Sequence, residues 1–337
     1  MPENVNRQFR LKSRPNGYPE ESDFDLTREP IPRPRHGEIL VKTLWLSMDP
    51  YMRGRMSEAR SYTAPVPIGG IMQGGVVGRV MESKDDRFSP GEIVNASLGW
   101  QEYGVVPAGA ARKVDPGIAP ISTALGVLGM PGMTAYFGLL RVGRPEPGDT
   151  VVVSAASGAV GAVVGQVARI MGCRAVGIAG SDEKIGYITG ELGFDAGINY
   201  KTEDVDAAIG EACPDGVNVY FDNVGGAITD AVINHLAYRA RVAICGQISQ
   251  YNLPNPEMAP RNLRAFLTNQ ASLEGFLVNR FADDHERGRQ RMALWIKEGR
   301  IKYREDVVEG LENAPKALIG MMHGANFGKL LVRVSEE

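Results

Sequence analysis

Apolar and polar positions change rhythm near residue 150. Before it, short alternating stretches are punctuated by turn residues. Residues 38–45 alternate like a strand, and residues 75–81 and 92–97 are candidates to follow it in a small barrel. Pro30, Pro32 and Pro34 mark an extended connection rather than a helix. After residue 150 the pattern predicts strand 151–154, helix 159–171, strand 174–179, a helix around 183–192 and strand 196–200. Helix 204–212, strand 217–221, helix 226–237, strand 240–245 and strand 271–278 follow. Strand and helix alternating at this pace predict a parallel, doubly wound sheet with right-handed crossovers. A helix at about 283–298 then gives way to a β-flavoured segment ending in strand 328–334. No helix follows that strand, so it either extends the sheet or returns to complete the first domain.

Length and composition sharpen this picture. A chain of 337 residues is too long for one ordinary core, and two domains are expected. A formal net charge of −3 leaves no electrostatic footprint for nucleic acid or an anionic membrane. No apolar run approaches membrane-spanning length, and the polar start has no signal-peptide character, so a cytoplasmic protein is expected. Cys173, Cys213 and Cys245 are scattered, as are His36, His235, His285 and His323. Neither a disulfide framework nor a metal site is expected from such spacing.

The candidate chemistry begins where strand 151–154 runs into Ala156-x-Gly158-x-x-Gly161 and a helix. Small residues there let the backbone approach a dinucleotide pyrophosphate, and N–H groups at the helix start point at its charge. Ala156 stands where the first glycine of that fingerprint usually sits. The second strand ends in Ala179, Gly180 and Ser181, with no carboxylate to bind a ribose 2′-hydroxyl, and Lys184 follows a turn later. This favours NADP over NAD, although Asp182, Glu183 and Lys184 also read as the ordinary solvated first turn of a helix. Asp222-Asn-Val-Gly-Gly226 follows strand 217–221, where Asn223 offers both a donor and an acceptor. A helix cap and glycine turn explain the same residues equally well. Cys245-Gly-Gln-Ile-Ser-Gln-Tyr251 holds the matching place after the next strand, with Tyr251 a candidate phenol donor. Ser157 lacks the flanking glycines of a hydrolase elbow.

Several motifs in order resemble one family. They are Leu46-Ser-Met-Asp-Pro-Tyr-Met-Arg-Gly-Arg-Met56, Gly126-Val-Leu-Gly-Met-Pro-Gly-Met-Thr-Ala-Tyr136, Ala155-Ala-Ser-Gly-Ala-Val-Gly161 and Gly180-Ser-Asp-Glu-Lys184. Asp222-Asn-Val-Gly-Gly226, Gly246-Gln-Ile-Ser-Gln-Tyr-Asn252, Gly310-Leu-Glu-Asn-Ala-Pro315 and Asn326-Phe-Gly-Lys329 continue the series. Together they resemble the zinc-independent medium-chain dehydrogenase/reductases, in the group of prostaglandin, curcumin and alkenal double-bond reductases. The resemblance implies an α/β fold: a GroES-like β-rich catalytic domain at 1–125, completed by 305–337, and an NADP-binding Rossmann domain at 126–304. It thereby sends the final strand back to the first domain. It also implies that Thr134, Gly158, Gly161, Gly180, Ser181, Lys184, Tyr200 and Asn223 contact NADP(H). Cys245, Gly246, Gln247, Ile248, Ser249, Tyr251, Phe276, Leu277, Val278 and Asn326 complete that set. Lys184 and Tyr200 would hold the 2′-phosphate. A homodimer pairing the edge strand 271–278 is implied as well.

Zinc members of the wider family carry a catalytic Cys and His in the first domain. Here Leu46-Ser-Met48 and Ile71-Met-Gln73 supply neither, and no cysteine precedes Cys173. The expected reaction is therefore metal-free hydride addition to the β-carbon of an α,β-unsaturated ketone or aldehyde. By the same resemblance Tyr251 would be its hydrogen-bond donor or, through water, its proton source. Tyr51 is a candidate substrate wall, or equally a structural aromatic. NADPH:quinone reduction in the same fold, or an NADPH-binding protein without turnover, are the alternatives.

Overall fold

The structure, a computed structural model, describes residues 5–337 and divides into two units. The first four residues of the expected N-terminal domain lie outside the described residues. Residues up to Gly126 and Glu305–Glu337 form the first unit, and Val127–Arg304 the second.

The first unit begins with β1 (Val5–Leu11) paired antiparallel to β2 (Phe24–Pro30). A larger sheet follows, built from β3 (Glu38–Ser47), β4 (Gly75–Ser83), β5 (Ile93–Ser97), β6 (Tyr103–Pro107) and β7 (Arg112–Lys113). β3 is its spine. Its first half pairs with β6 and its last three residues with a strand from the far end of the chain, while β4 lines its other edge. The alternation seen in the sequence is diluted here because β3 is buried along most of its length. Trp100 is fully buried and stacks on Phe24 at 5.4 Å, closing one side of the core. Between β3 and β4 a short helix, α1 (Tyr51–Arg55), starts after the Asp49-Pro50 turn.

The second unit opens with α2 (Met130–Phe137), which passes into a π-helical turn at Gly138–Gly143. Neither was visible in the hydrophobic rhythm, since both are buried nearly all round. Six parallel strands follow: β8 (Thr150–Ser154), β9 (Arg174–Ala179), β10 (Ala196–Asn199), β11 (Val217–Asp222), β12 (Leu236–Ile244) and β13 (Ser272–Gly275). Their order, β10-β9-β8-β11-β12-β13, puts the topological switch between β8 and β11. β8 is buried at every residue, as a strand covered on both faces should be. The crossovers include α3 (Gly161–Ile170), α4 (Asp182–Gly190), α5 (Val205–Ala212) and α6 (Gly226–Asn234). α7 (Leu263–Thr268) precedes β13, and α8 (His285–Lys297) follows it.

Two expected elements need correction. The helix expected to reach 237 stops at Asn234, and β12 starts at Leu236 rather than 240. The His235 carbonyl accepts the Val217 N–H at 2.8 Å, so the chain joins the sheet early and reaches its main register through a bulge. The strand expected over 271–278 is only the four residues Ser272–Gly275. Phe276 makes the last link to β12, its N–H reaching the Ile244 carbonyl at 3.3 Å, and its ring packs against Phe221, at 6.0 Å, in space opened by Gly138. A Cβ on Gly138 would lie 2.2 Å from that ring.

The chain then re-enters the first unit as β14 (Glu305–Glu309), α9 (Ala314–Met322) and β15 (Lys329–Arg333). β15 lies parallel to β14 and antiparallel to β3. The points where the chain leaves and returns are neighbours. A Cβ on Gly126 would sit 3.8 Å from Glu305 Oε1, and Ser122 donates to Glu305 Oε2 at 2.7 Å.

Candidate active site

In the second unit, β8 ends at Ser154 and the backbone turns sharply at Ala155, whose φ of 52° is left-handed. The Ala155 carbonyl accepts the Gly158 N–H at 3.0 Å and closes the turn. A Cβ on Gly161 would lie 2.3 Å from that same carbonyl, so glycine is required there. Gly158 is less confined, with its nearest contact at 3.2 Å. The turn leads straight into α3, where the Ala162 N–H bonds back to the Gly158 carbonyl at 3.0 Å and that of Val164 to the Val160 carbonyl at 3.0 Å.

At the end of β9, Gly180 lies beneath the Tyr200 ring. A Cβ on Gly180 would meet ring carbons at 2.8 and 3.0 Å. A side chain at this position, where a carboxylate would bind a ribose 2′-hydroxyl, would first have to displace the Tyr200 ring. Ser181 caps α4 by accepting the Lys184 N–H at 3.3 Å, which fixes where Lys184 leaves the helix. Asp182, an awkward neighbour for a phosphate, is held by the Asn199 side-chain amide at 2.7 Å. Gly180, Ser181, Lys184 and Tyr200 thus come together around one strand end.

The ends of β8, β11 and β12 are joined by a residue that sequence reasoning missed. Asp222 is fully buried and accepts from Ser154 Oγ, the Tyr220 phenol, Thr229 Oγ1 and the N–H groups of Val224 and Gly225, at 2.7–3.2 Å. Burial beside this carboxylate holds the Tyr220 phenol well above its ordinary value. The only hint in the sequence was the acidic residue ending an apolar strand. Asn223 spends its amide on the Ser154 carbonyl at 2.8 Å and its backbone N–H on Ser154 Oγ at 2.9 Å. Both the binding and the local structural use of these residues therefore start from one turn.

Segment 245–251 is laced onto that turn. Cys245 and Gly246 donate their N–H groups to the Asp222 carbonyl at 2.8 and 3.1 Å, and Ser249 N–H reaches the Val224 carbonyl at 3.1 Å. Burial pushes the Cys245 thiol up to about 12, so it stays a thiol. Tyr251 Oη accepts the Gln247 N–H at 3.2 Å and sits 3.2 Å from where a Gly246 Cβ would be. Phe276 is buried, Leu277 is exposed and Val278 starts a short 3₁₀ stretch. Thr134 is buried and donates its hydroxyl back to the Met130 carbonyl at 2.8 Å.

Tyr51 and Asn326 belong to the first unit. Tyr51 opens α1 two residues after Asp49, a buried carboxylate paired with Lys329 at 3.0 Å. Lys329 also donates to the Met48 carbonyl at 2.6 Å, and Ser47 donates to Asp49. Burial, helped by Asp49, raises the Tyr51 phenol well above its ordinary value and keeps it protonated. Asn326 donates to the Gly328 carbonyl at 3.0 Å.

A catalytic zinc does not fit this donor set. Ser47 is engaged by Asp49, while Met48 and Met72 are packed in the apolar core. Among the described residues no three His, Cys, Asp or Glu side chains gather as metal ligands.

Comparison with known proteins agrees with this architecture. Residues 7–114 match the family profile described as "N-terminal domain of oxidoreductase", and residues 159–294 the one described as "Zinc-binding dehydrogenase". The chain is 43% identical to the NADPH-dependent curcumin reductase of Escherichia coli (strain K12), over 98% of this chain and 97% of that protein. It is also 43% identical to the 2-alkenal reductase (NADP(+)-dependent) of Nicotiana tabacum, over 98% of each. The crystal structure of CurA from Vibrio vulnificus in complex with NADPH superposes with a TM-score of 0.94 at 43% identity, covering 98% of this chain and 100% of that one. With the glycine turn, the carboxylate-free β9 end and the absence of a zinc donor set among the described residues, these likenesses identify the family: the chain belongs to the zinc-independent medium-chain dehydrogenase/reductases, in the group of prostaglandin, curcumin and alkenal double-bond reductases.

Proposed function

We propose that this protein reduces the carbon–carbon double bond of α,β-unsaturated ketones and aldehydes with NADPH, without a metal. The observation that carries the reading is the setting of Tyr251, its phenol oxygen fixed by the Gln247 N–H over the bare Gly246. Lys184 and Tyr200 hold the 2′-phosphate beside Gly180, and the turn from Gly158 to Gly161 receives the pyrophosphate. Thr134, Asn223, segment 245–251, Phe276 to Val278 and Asn326 contact the rest of the cofactor. When bound, the nicotinamide supplies a hydride for the electrophilic β-carbon. Tyr251 donates its O–H to the carbonyl oxygen where negative charge develops, and the α-carbon takes its proton from water. Tyr51, kept neutral by burial, forms part of the substrate wall.

NADPH oxidation should be followed with enals, enones, quinones and saturated aldehydes, and the products identified. Selective saturation of the C=C bond is expected. Turnover of quinones alone would move the activity to quinone reduction, and turnover of saturated aldehydes alone would defeat the proposal.

The reading extends to a cytoplasmic homodimer paired along segment 271–278. β13 is the open edge of the sheet, and Leu273 on it is 52% exposed. Leu263 and Leu267 of the preceding α7 are 71% and 79% exposed, more apolar surface than a free edge tolerates well. Three free cysteines suit a reducing compartment.

A further inference from the structure

Helix α1 carries two buried arginines with different surroundings. Arg53 donates to the Gly17 carbonyl at 2.8 Å and to that of Pro15 at 3.4 Å, tying the N-terminal loop to the helix. Arg55 is only 4% exposed, yet among the described residues it makes no ion pair with a carboxylate. Its guanidinium instead lies 4.4 Å from the centroid of the Tyr62 ring and 5.7 Å from that of Tyr51. Its Nη1 group donates to the Thr63 carbonyl at 3.2 Å and to Ser61 Oγ at 3.4 Å. Tyr51 and Arg55 stand four residues apart on one helical turn, which brings their side chains to the same face.

A buried cation without a counter-ion is costly, and two ring faces and a carbonyl compensate it only in part. The arrangement also does something a salt bridge would not. One planar group holds a loop ring, Tyr62, and a helix ring, Tyr51, in fixed relation. Tyr62 keeps 60% of its surface exposed, so a ring face remains open to a ligand.

We propose that Arg55 is a positioning residue, whose guanidinium fixes Tyr62 and its loop against Tyr51 so that the two rings select substrates carrying an aryl group. This rests on the reading that Tyr51 forms part of the wall around an enone substrate. An aryl enone gains from two aligned rings, whereas a short alkyl enal spans too little surface to use them.

The test compares benzylideneacetone with crotonaldehyde in NADPH oxidation assays. Arg55→Met is expected to raise KM for benzylideneacetone by about tenfold with kcat little changed. Both constants for crotonaldehyde, and KM for NADPH, should stay within about twofold. Arg55→Lys keeps a charge but not the planar face, and should fall between wild type and Arg55→Met. Tyr62→Leu, at an exposed position that does not threaten folding, should lose the same selectivity, and the double variant should lose no more than either single one. Equal losses on both substrates, an unchanged aryl preference, or fully additive losses would overturn the assignment. A wild-type protein that reduces neither alkene defeats the enone reading instead. Hydrogen exchange of amides 57–64 then decides on the clamp: faster exchange in Arg55→Met supports it, and unchanged exchange refutes it.

Discussion

At Gly180 the absent side chain matters because the Tyr200 ring already fills its place. That leaves Lys184 as the charge expected to distinguish the two nicotinamide cofactors. Lys184→Ala should weaken NADPH by about 10- to 100-fold and NADH by less than about threefold, measured as Kd by fluorescence titration. Equal losses would refute the phosphate role. Tyr251→Phe should lower kcat on enones by about 100-fold, a far larger loss than any in NADPH affinity. Retention of full kcat would remove Tyr251 from the chemistry. Glu305 carries a pH signature. Burial raises its carboxyl above the ordinary 4.5, opposed by the Ser122 hydroxyl and Lys329. The folded state thus binds this proton more tightly than the unfolded chain. Its contribution to stability is complete below the unfolded value and fades as pH climbs through the folded one. Denaturant unfolding should show wild type losing ground to Glu305→Gln as the pH rises above the ordinary carboxyl value of 4.5, and a constant difference would contradict the assignment. Gly180 and Lys184 were legible because a missing carboxylate can be seen in a string of letters. Asp222 was not, since its importance lies in five donors drawn from β8, β11 and the α6 region, which only folding brings to one carboxylate.

The elements of the second unit were readable because strand and helix alternate there with clear turn residues between them. Legibility failed where packing overrode rhythm, at the shortened β13 and at the π-helical turn. Helix glycines give a contrast that sequence cannot. A Cβ on Gly165 in α3 would lie 1.9 Å from the Phe194 ring, while one on Gly186 in α4 meets nothing within 4 Å. Gly165→Ala should cost about 1–3 kcal/mol through overpacking. Gly186→Ala should stabilise by about 0.5–1 kcal/mol by restricting the unfolded chain. Thermal melts of the two variants should therefore move in opposite directions, and a shared direction would mean the α3 contact relaxes freely.

For the whole molecule, the exposed leucines on α7 and β13 set the expected assembly. Light scattering should report about twice the 36.4 kDa chain mass for the wild type, and Leu267→Glu with Leu273→Lys should give monomers. A monomeric wild type would leave those leucines without the proposed use. The discontinuity of the first unit has a practical side as well. Its two severed ends, at Gly126 and Glu305, lie close enough for a short linker to join them. The nucleotide-binding sheet is thus a cassette held between adjacent splice points, and a relative's sheet could be exchanged for it without redrawing the scaffold that receives it.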